Sequence, residues 1–470
     1  MSKNELENLT KKFDFVWDKL SSEDLKAVMD FAEGYKLFMD AAKTEREATA
    51  EIVKRAKEKG FIDLNDAIKE SKKLNAGDRV FAVNKDKAVV LFVIGKEKIE
   101  KGMNIVGSHI DSPRIDLKPN ALYEDEGFAL LETHYYGGIK KYQWVTIPLA
   151  LHGVVVKKGG EKVNVVIGED ESDPVLYITD LLIHLSADQM EKKLAKGIEG
   201  EDLNVLIGSQ PIEDKEAKGR IKLNILRLLN EKYGMTEEDF ITAEFEIVPA
   251  GKSRDVGLDR SMVMAYGHDD KVCAYTSLEA ILEVTEPNKT CIALFVDKEE
   301  IGSNGATGMH SKFFENVLAE LMNLKGEYSE LNLRRALANS KMLSSDVTAA
   351  FDPIYPSVLE KKNSAYMGKG IVITKYTGSR GKYSCNDANA EFLGEIRDLF
   401  NQHNITWQTG ELGKVDQGGG GTIAYITAEY GMEVVDCGVA LLSMHAPWEI
   451  AGKVDVYETY RAYKVFLQHI

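Results

Sequence analysis

Short apolar runs alternate with helix-like stretches along much of this chain, and that alternation narrows the possible folds more than any other feature. Three of the runs are AVVLFVIG (88–95), MNIVGSH (103–109) and TCIALFV (290–296). Strands that alternate with helices are typical of a mostly parallel sheet that has helices on both faces. We therefore predict an α/β fold built on a mostly parallel, doubly wound sheet.

The middle of the chain has a different character. Its short β-like runs, separated by glycines and charged residues, include LLETHYYGG, TIPLALHGVVVKKGG and KVNVVIG. The first ~80 residues have apolar residues at helical spacing, and the alternation of strands and helices returns after Gly251. A chain of 470 residues also exceeds the roughly 250–300 residues at which a single core stops growing. We predict a β-rich domain, residues 113–250, inserted into a domain formed by residues 1–112 and 251–470.

Charge and cysteine content limit the possible partners and compartments. The formal net charge of −16 argues against binding to nucleic acid or to an anionic membrane, because both require a basic surface. The four cysteines are scattered without a C-x-x-C pair, which gives no support to a disulfide framework or a zinc ribbon. The N-terminus has no signal-peptide pattern, and no apolar stretch approaches the ~20 residues of a membrane helix. We expect a cytoplasmic protein.

Five short segments share one property: each follows a predicted strand or begins a predicted helix, and each carries histidine or carboxylate side chains. They are GSHIDSP with His109 and Asp111, YGHDDKV with Asp269 and Asp270, VDKEEIGS with Glu299 and Glu300, LSSDVTAA with Asp346, and LSMHAP with His445. Imidazole and carboxylate ligands without thiolates suit zinc and also manganese or cobalt. Two histidines and three carboxylates can hold two ions if one carboxylate bridges them, as in aminopeptidases and phosphatases.

The spacing within two segments fits this chemistry. A histidine that binds a metal usually donates its other ring N–H to a carboxylate, and Asp111 is close enough in sequence to His109 for that role. In the Glu299–Glu300 doublet, one carboxylate can bind metal while the other acts as a general base. Each segment alone also has an ordinary explanation, such as a helix cap, a solvated acidic loop or a core histidine. The combination of all five favours a metal site.

With these motifs, the chain resembles the M18 family of metallo-aminopeptidases, from about Gly107 to the C-terminus. GSHIDSP, DDKVCAYTSLEAI, VDKEEIGS, LSSDVTAAFDP and LLSMHAPWEIAG are similar to the family's motifs and occur in the same order. The resemblance implies a zinc-peptidase fold and two divalent ions, most simply zinc. It assigns one ion to His109 and Asp346, the other to Glu300 and His445, and Asp269 to both. Glu299 is then the general base that acts on a metal-activated water, and Asp111 is the partner of His109.

The resemblance extends into the predicted insert. THYYGGIKKYQW and PVLYITDLLIHLS are similar to stretches of the family's dimerisation domain. This similarity implies that His184 reaches the active site of a neighbouring subunit, where it stabilises the developing oxyanion. It also implies self-association into dimers and a tetrahedral dodecamer that admits peptides as substrates.

The predicted substrate pocket departs from the family pattern. Tyr383 matches the family's tyrosine, but Lys375 matches its acid-reading lysine only with a shift. The loop VDQGGGGTIA keeps Asp416, Gly421 and Thr422 but lacks the family's cysteine. A preference for acidic or for neutral N-terminal residues is therefore left open. Two other functions also stay open: a two-metal deacylase that acts on amino-acid amides, and a metal-stabilised assembly without catalytic activity.

Overall fold

The computed structural model describes residues 9–470 and divides the chain into two compact units. Of the described residues, the first unit comprises residues 9–111 together with Arg254–Met444 and Glu449–Ile470. The second comprises Ser112–Ser253 and His445–Trp448. Helices and several sheets occur together, so the α/β class of the predicted fold is confirmed.

Strands occur along most of the described chain and are numbered here in chain order. They are β1 (Ile62–Asp63), β2 (Arg79–Asn84), β3 (Ala88–Val93), β4 (Met103–His109), β5 (Arg114–Asp125), β6 (Phe128–Tyr136), β7 (Leu149–Val156), β8 (Lys162–Ile167), β9 (Val205–Gly208), β10 (Glu244–Pro249), β11 (Arg254–Val256), β12 (Met262–Ala265), β13 (Thr290–Val296), β14 (Lys341–Ser344), β15 (Thr348–Ala349), β16 (Ile371–Thr374), β17 (Trp407–Thr409), β18 (Glu433–Gly438), β19 (Ala440–Leu442) and β20 (Glu449–Gly452).

The α-helices are numbered in the same way. They are α1 (Ser22–Ala41), α2 (Glu45–Glu58), α3 (Leu64–Lys69), α4 (Ala187–Met190), α5 (Leu194–Gly197), α6 (Arg220–Tyr233), α7 (Glu237–Ile241), α8 (His268–Leu282), α9 (Phe313–Lys325), α10 (Glu330–Ala338), α11 (Ala390–Gln402), α12 (Ala424–Ala428) and α13 (Lys453–His469). Capping boxes at Ser21 and Thr44 fix the starts of α1 and α2, because each hydroxyl accepts a backbone N–H bond three residues later. None of the helices within residues 9–470 is both long enough and apolar enough to cross a membrane.

The first unit is built on a nine-stranded sheet with the order β1-β2-β3-β13-β4-β14-β18-β16-β17. Its centre is parallel, since β13, β4, β14 and β18 all run in the same direction. Antiparallel pairs occur on either side of this centre, where β3 joins β2 and β13, and where β16 joins β18. The sheet is therefore mixed, with its parallel strands in the middle.

Both faces of this sheet are covered by apolar packing. Along β3, the side chains of Val89 and Leu91 enter one buried cluster, whereas those of Val90 and Phe92 enter another. The first cluster includes residues of α1, α2, α8, α11 and α13, and the second includes residues of α3, α9, α10 and α12. A strand buried on both faces needs apolar residues at consecutive positions, which explains the unbroken run at 88–95.

Two further sheets complete the described fold. A five-stranded sheet with the order β11-β12-β20-β19-β15 also lies in the first unit. The second unit contains a six-stranded sheet with the order β8-β7-β10-β5-β6-β9, in which every neighbouring pair is antiparallel.

Candidate metal centre

Three parallel strands of the central sheet end side by side and bring distant loops together. β4 lies between β13 and β14, and His109, its last residue, pairs with Val296 at the end of β13. The loop after β13 carries Glu299, and the loop after β14 carries Asp346. In such sheets, binding sites form beyond the carboxyl ends of the strands, where these loops lie.

The predicted ligands of the first unit form two overlapping groups around His109. One ligand atom from each of His109, Asp269 and Asp346 lies within 4.8 Å of the others, and His109, Glu299 and Glu300 form a second group of this kind. The Nε2 atom of His109 is 3.2 Å from Asp269 Oδ1 and 3.7 Å from Glu299 Oε2. The structure thus brings together five predicted residues from four separate segments.

Asp111 links His109 to the acidic doublet. Its Oδ1 atom is 3.3 Å from His109 Nδ1. The same carboxylate accepts the backbone N–H bonds of Glu299 and Glu300, at 3.1 and 3.2 Å. Because Asp111 is fully buried, these charge-assisted bonds are protected from water. The backbone carbonyl oxygen of Asp111 also lies 3.0 Å from His109 Nδ1, so Asp111 as a whole holds the imidazole ring and the doublet's backbone together.

The doublet itself lies on a short turn and not directly at a strand end. β13 ends at Val296, and Glu299–Ile301 form one turn of 3-10 helix after Lys298, whose φ is 69°. The intervening Asp297 is buried and accepts a 2.5 Å bond from the Thr307 hydroxyl. The two glutamates therefore extend from a turn and not from the end of a strand, and each offers a carboxylate oxygen within 4.8 Å of a ring nitrogen of His109.

Asp269 and Asp270 lie at the start of α8 but do not have helical backbone angles. Their φ/ψ values are −78°/108° and −111°/22°, and the N-cap residue of the helix is Gly267. The Asp269 N–H donates to Glu449 Oε2 at 3.1 Å. Asp270 Oδ2 accepts the backbone N–H of His109 at 3.3 Å. Helix capping therefore does not explain this pair of carboxylates.

Asp346 is held by the backbone on both sides. The preceding Ser345 donates its N–H to Gly107 O at 2.6 Å and its hydroxyl to Tyr463 Oη at 2.5 Å. On the other side, a Cβ atom at Gly438 would lie 2.0 Å from the carbonyl oxygen of Asp346. Only glycine permits this close approach of the two chain segments.

The electrostatics of the cluster favour a bound cation. Burial alone lowers the pKa of His109, but hydrogen bonds with Asp111 and Asp269 raise it well above its ordinary value. Removal from water raises the pKa of Asp346 well above its ordinary value, and the nearby charge of Asp270 raises it further. Several carboxylates crowd a region of low exposure, and a divalent cation would offset their mutual repulsion.

The two remaining predicted histidines belong to the second unit. His445 has a φ of 64°, and its Nδ1 atom is 2.9 Å from the carbonyl oxygen of Gly138. A carbonyl only accepts, so Nδ1 carries the proton and Nε2 is the nitrogen suited to bind metal. His184 lies on the exposed 3-10 turn Ile183–Leu185. Leu182 on its N-terminal side is also exposed.

The four predicted substrate residues lie in two loops of the first unit. Lys375 and Tyr383 follow β16, and both are exposed. Asp416 and Gly421 follow β17 and are exposed as well. A backbone bond of 2.7 Å from Gly378 N–H to the carbonyl oxygen of residue 420 joins the two loops.

The sequence reasoning gave no role to three residues close to Asp269. Asp270 was noted only as half of a doublet, Glu449 contacts Asp269 from 180 positions away, and His268 was not considered. Burial lowers the pKa of His268 to about 3, which keeps its ring neutral. Only the position of His268 immediately before Asp269 could have signalled its importance.

Comparisons with known proteins agree on one family. The family model described as aminopeptidase I zinc metalloprotease (M18) matches residues 38–467. A probable M18 family aminopeptidase 1 from Clostridium acetobutylicum is 60% identical over 462 residues, which are 98% of this chain and 99% of the relative.

Solved structures show the same similarity. The crystal structure of an M18 family aminopeptidase from Thermotoga maritima has a TM-score of 0.93 and 44% identity, with 98% of this chain and 100% of that chain covered. A structure titled as the S. cerevisiae mApe1 dodecamer has a TM-score of 0.76, with 94% of this chain and 97% of that chain covered. At 20% identity, it supports the fold alone.

Proposed function

The chain belongs to the M18 family of zinc aminopeptidases, and we propose that it removes N-terminal residues from peptides with two divalent ions and Glu299 as the general base. Membership of this family makes the chain a metallo-aminopeptidase. One observation carries the proposed two-ion mechanism: His109, Asp269 and Asp346 offer ligand atoms within 4.8 Å of one another, and Glu299 lies beside them.

We assign His109 and Asp346 to one ion, Glu300 and His445 to the other, and Asp269 to both. The donor set fits zinc, and also manganese or cobalt, because it consists of imidazoles and carboxylates without thiolates. The concentration of carboxylates around His109 supports this assignment, since these groups repel one another unless a cation lies between them.

When bound, a pair of divalent ions lowers the pKa of a water molecule and polarises a carbonyl group. The Glu299 side chain is only 17% exposed, with Oε2 at 3.7 Å from His109 Nε2. It takes a proton from the attacking water as the new C–O bond forms. It then gives that proton to the nitrogen of the leaving amine as the peptide C–N bond breaks.

Asp111 has a positioning role in this proposal. By accepting the N–H bonds of Glu299 and Glu300, it fixes the backbone from which the base and one ligand extend. His109 Nδ1 lies 3.0 Å from the backbone carbonyl oxygen of Asp111 and 3.3 Å from its Oδ1 atom, so Nδ1 carries the proton and Nε2 is the nitrogen that binds metal.

We propose that residues 113–250 form a dimerisation domain and that residues 1–112 and 251–470 form the catalytic domain. His184 would then complete the active site of a neighbouring copy by stabilising the oxyanion of the tetrahedral intermediate. Exposed apolar residues on both sides of His184 support a partner at this surface: Leu181, Leu182, Ile183 and Leu185. A tetrahedral dodecamer is proposed as the full assembly; the yeast structure of the same fold is titled as a dodecamer.

The substrate pocket and the compartment are also proposals. Tyr383, Lys375, Asp416 and Gly421 would contact the N-terminal side chain of the peptide. The four cysteines are free thiols, which is compatible with a reducing cytoplasm.

The proposed mechanism is tested by hydrolysis of a panel of aminoacyl-nitroanilides by the wild-type protein and by Glu299→Gln, with and without a chelator. We expect chelator-sensitive release that Glu299→Gln abolishes, although this variant still binds metal. Glu391→Gln, which removes an exposed carboxylate from α11, is the matched control and should retain wild-type activity.

The panel also gives the preferred N-terminal residue. Hydrolysis of acetylated amino acids in place of the nitroanilides would indicate a deacylase and contradict the proposal. Full activity of Glu299→Gln would contradict the role of the base.

A further inference from the structure

A buried hydrogen-bonded connection joins helix α1 to the residue that precedes Asp269. Tyr35 and His268 are fully buried, and the Tyr35 hydroxyl contacts His268 Nδ1. The other ring nitrogen, Nε2, is 3.0 Å from the carbonyl oxygen of Val263. Because a carbonyl only accepts, Nε2 carries the proton and Nδ1 accepts the bond from Tyr35. The ring of His268 is thus held on both sides.

The conformation of Asp269 depends on contacts of this kind. Its φ/ψ values are not helical although it lies within α8, so the regular hydrogen bonds of the helix do not fix it. Its N–H donates instead to Glu449 Oε2, and the residue before it is held by Tyr35 and Val263. These contacts define the direction in which the Asp269 side chain leaves the backbone.

Helix α1 and the loop after it contact α8 at two other points. The Nζ atom of Lys271 donates to the carbonyl oxygen of Lys43 at 3.4 Å. The ring of Tyr35 is 5.3 Å from that of Tyr275, one to two turns further along α8. Lys43, Lys271 and Tyr275 are all buried. The N-terminal part of α8 is therefore packed directly against this segment.

We infer that Tyr35 is a positioning residue for the metal site. Through its bond to His268, Tyr35 fixes the conformation of Asp269. The affinity for metal therefore depends on the packing of α1. This inference rests on the proposed role of Asp269 as a ligand shared by two ions. Helix α1, which carries none of the proposed ligands, then contributes to the affinity for metal.

The test compares Tyr35→Phe with Tyr275→Phe. Both remove one hydroxyl from the same aromatic cluster, but the Tyr275 hydroxyl contacts the Phe31 carbonyl and not His268. Zinc affinity is measured by competition with a chromophoric chelator, and kcat is measured at saturating zinc. Loss of outer contacts of a metal site typically weakens binding by about 10–100-fold. We expect about a tenfold loss for Tyr35→Phe, with kcat restored at saturating zinc, and wild-type affinity for Tyr275→Phe.

Equal zinc affinities for the two variants would overturn the inference. If Tyr35→Phe does not fold, His268→Gln is measured in its place, since it removes the ring that receives the Tyr35 bond. If Tyr35→Phe and His268→Gln both fold, the variant that carries both changes should lose no more zinc affinity than the more affected single variant. Additive losses would show that Tyr35 does not act through His268 and would overturn the inference. Failure of the wild-type protein to bind two ions would instead overturn the proposed function. The wild-type measurement alone gives that result, so the two failures can be distinguished.

Discussion

Replacing Asp111 with asparagine tests how the acidic doublet is held. The carboxylate accepts backbone N–H bonds from Glu299 and Glu300 and contacts His109 Nδ1, all without exposure to water. An amide has a single oxygen, so its NH2 group must face one of these N–H donors. A hydrogen bond to a charged group contributes about 1.5–3 kcal/mol. Each 1.4 kcal/mol corresponds to about a tenfold change in affinity, so we expect zinc binding to weaken by about 10–100-fold.

Chelator competition on purified, metal-depleted Asp111→Asn measures this loss directly. The turnover rate at saturating zinc should stay below that of the wild type, because the backbone of Glu299 is no longer held. Asp170→Asn is the control, since Asp170 also accepts bonds from a nearby residue, Ser172, but lies on the surface. Wild-type zinc affinity and turnover in Asp111→Asn would refute the reasoning.

Two further predictions concern stability. Gly438→Ala should destabilise the fold by about 1–3 kcal/mol in urea unfolding, because its Cβ atom would lie 2.0 Å from the carbonyl oxygen of Asp346; an unchanged midpoint would contradict this. Asp255→Asn should cost about 3 kcal/mol at pH 7, because it leaves Lys453 buried without the carboxylate that it contacts at 2.9 Å. Burial raises the pKa of Asp255, but hydrogen bonds from Lys36 and Lys453 outweigh it and lower the pKa below its usual value. The stabilisation is therefore present above pH ~4 and is lost as the pH falls through the folded-state pKa of Asp255. In urea unfolding, the difference in the free energy of unfolding between wild type and Asp255→Asn should shrink below pH ~4. A difference that stays constant with pH would contradict this prediction.

The apolar runs predicted the central strands well because burial on both faces requires consecutive apolar residues. The runs at 88–95, 103–109 and 290–296 became β3, β4 and β13. The same pattern carries no information on strand direction. β3 therefore proved antiparallel to β13, whereas β4 is parallel to it.

The candidate ligands were found because each is adjacent to a predicted strand end or helix start. Parallel strands place such ends at one edge, so proximity of His109, Glu299 and Asp346 follows from topology. The contacts that hold these residues could not be found in the same way. The bond from Glu299 to Asp111 spans 188 positions, and its donor is a backbone N–H, which every residue except proline possesses.

The same limit applies to the contact between Tyr35 and His268. It spans 233 positions and joins two segments that each look like ordinary helix sequence. Apolar residues at helical spacing predict a buried helix face in the first ~80 residues, and Tyr35 does lie in the buried core. Periodicity identifies such a face but does not identify the polar atom that one side chain on it will contact.

The most direct test of the two-ion proposal is the number of zinc ions bound by variants of Asp269 and Asp346. Calorimetric titration of metal-depleted wild type should give two ions per chain. Because Asp269 is proposed as a ligand to both ions, Asp269→Ala should lose high-affinity binding of both, whereas Asp346→Ala should retain one. An Asp269→Ala variant that still binds zinc with wild-type affinity, or a wild type that binds a single ion, would contradict the shared-ligand site.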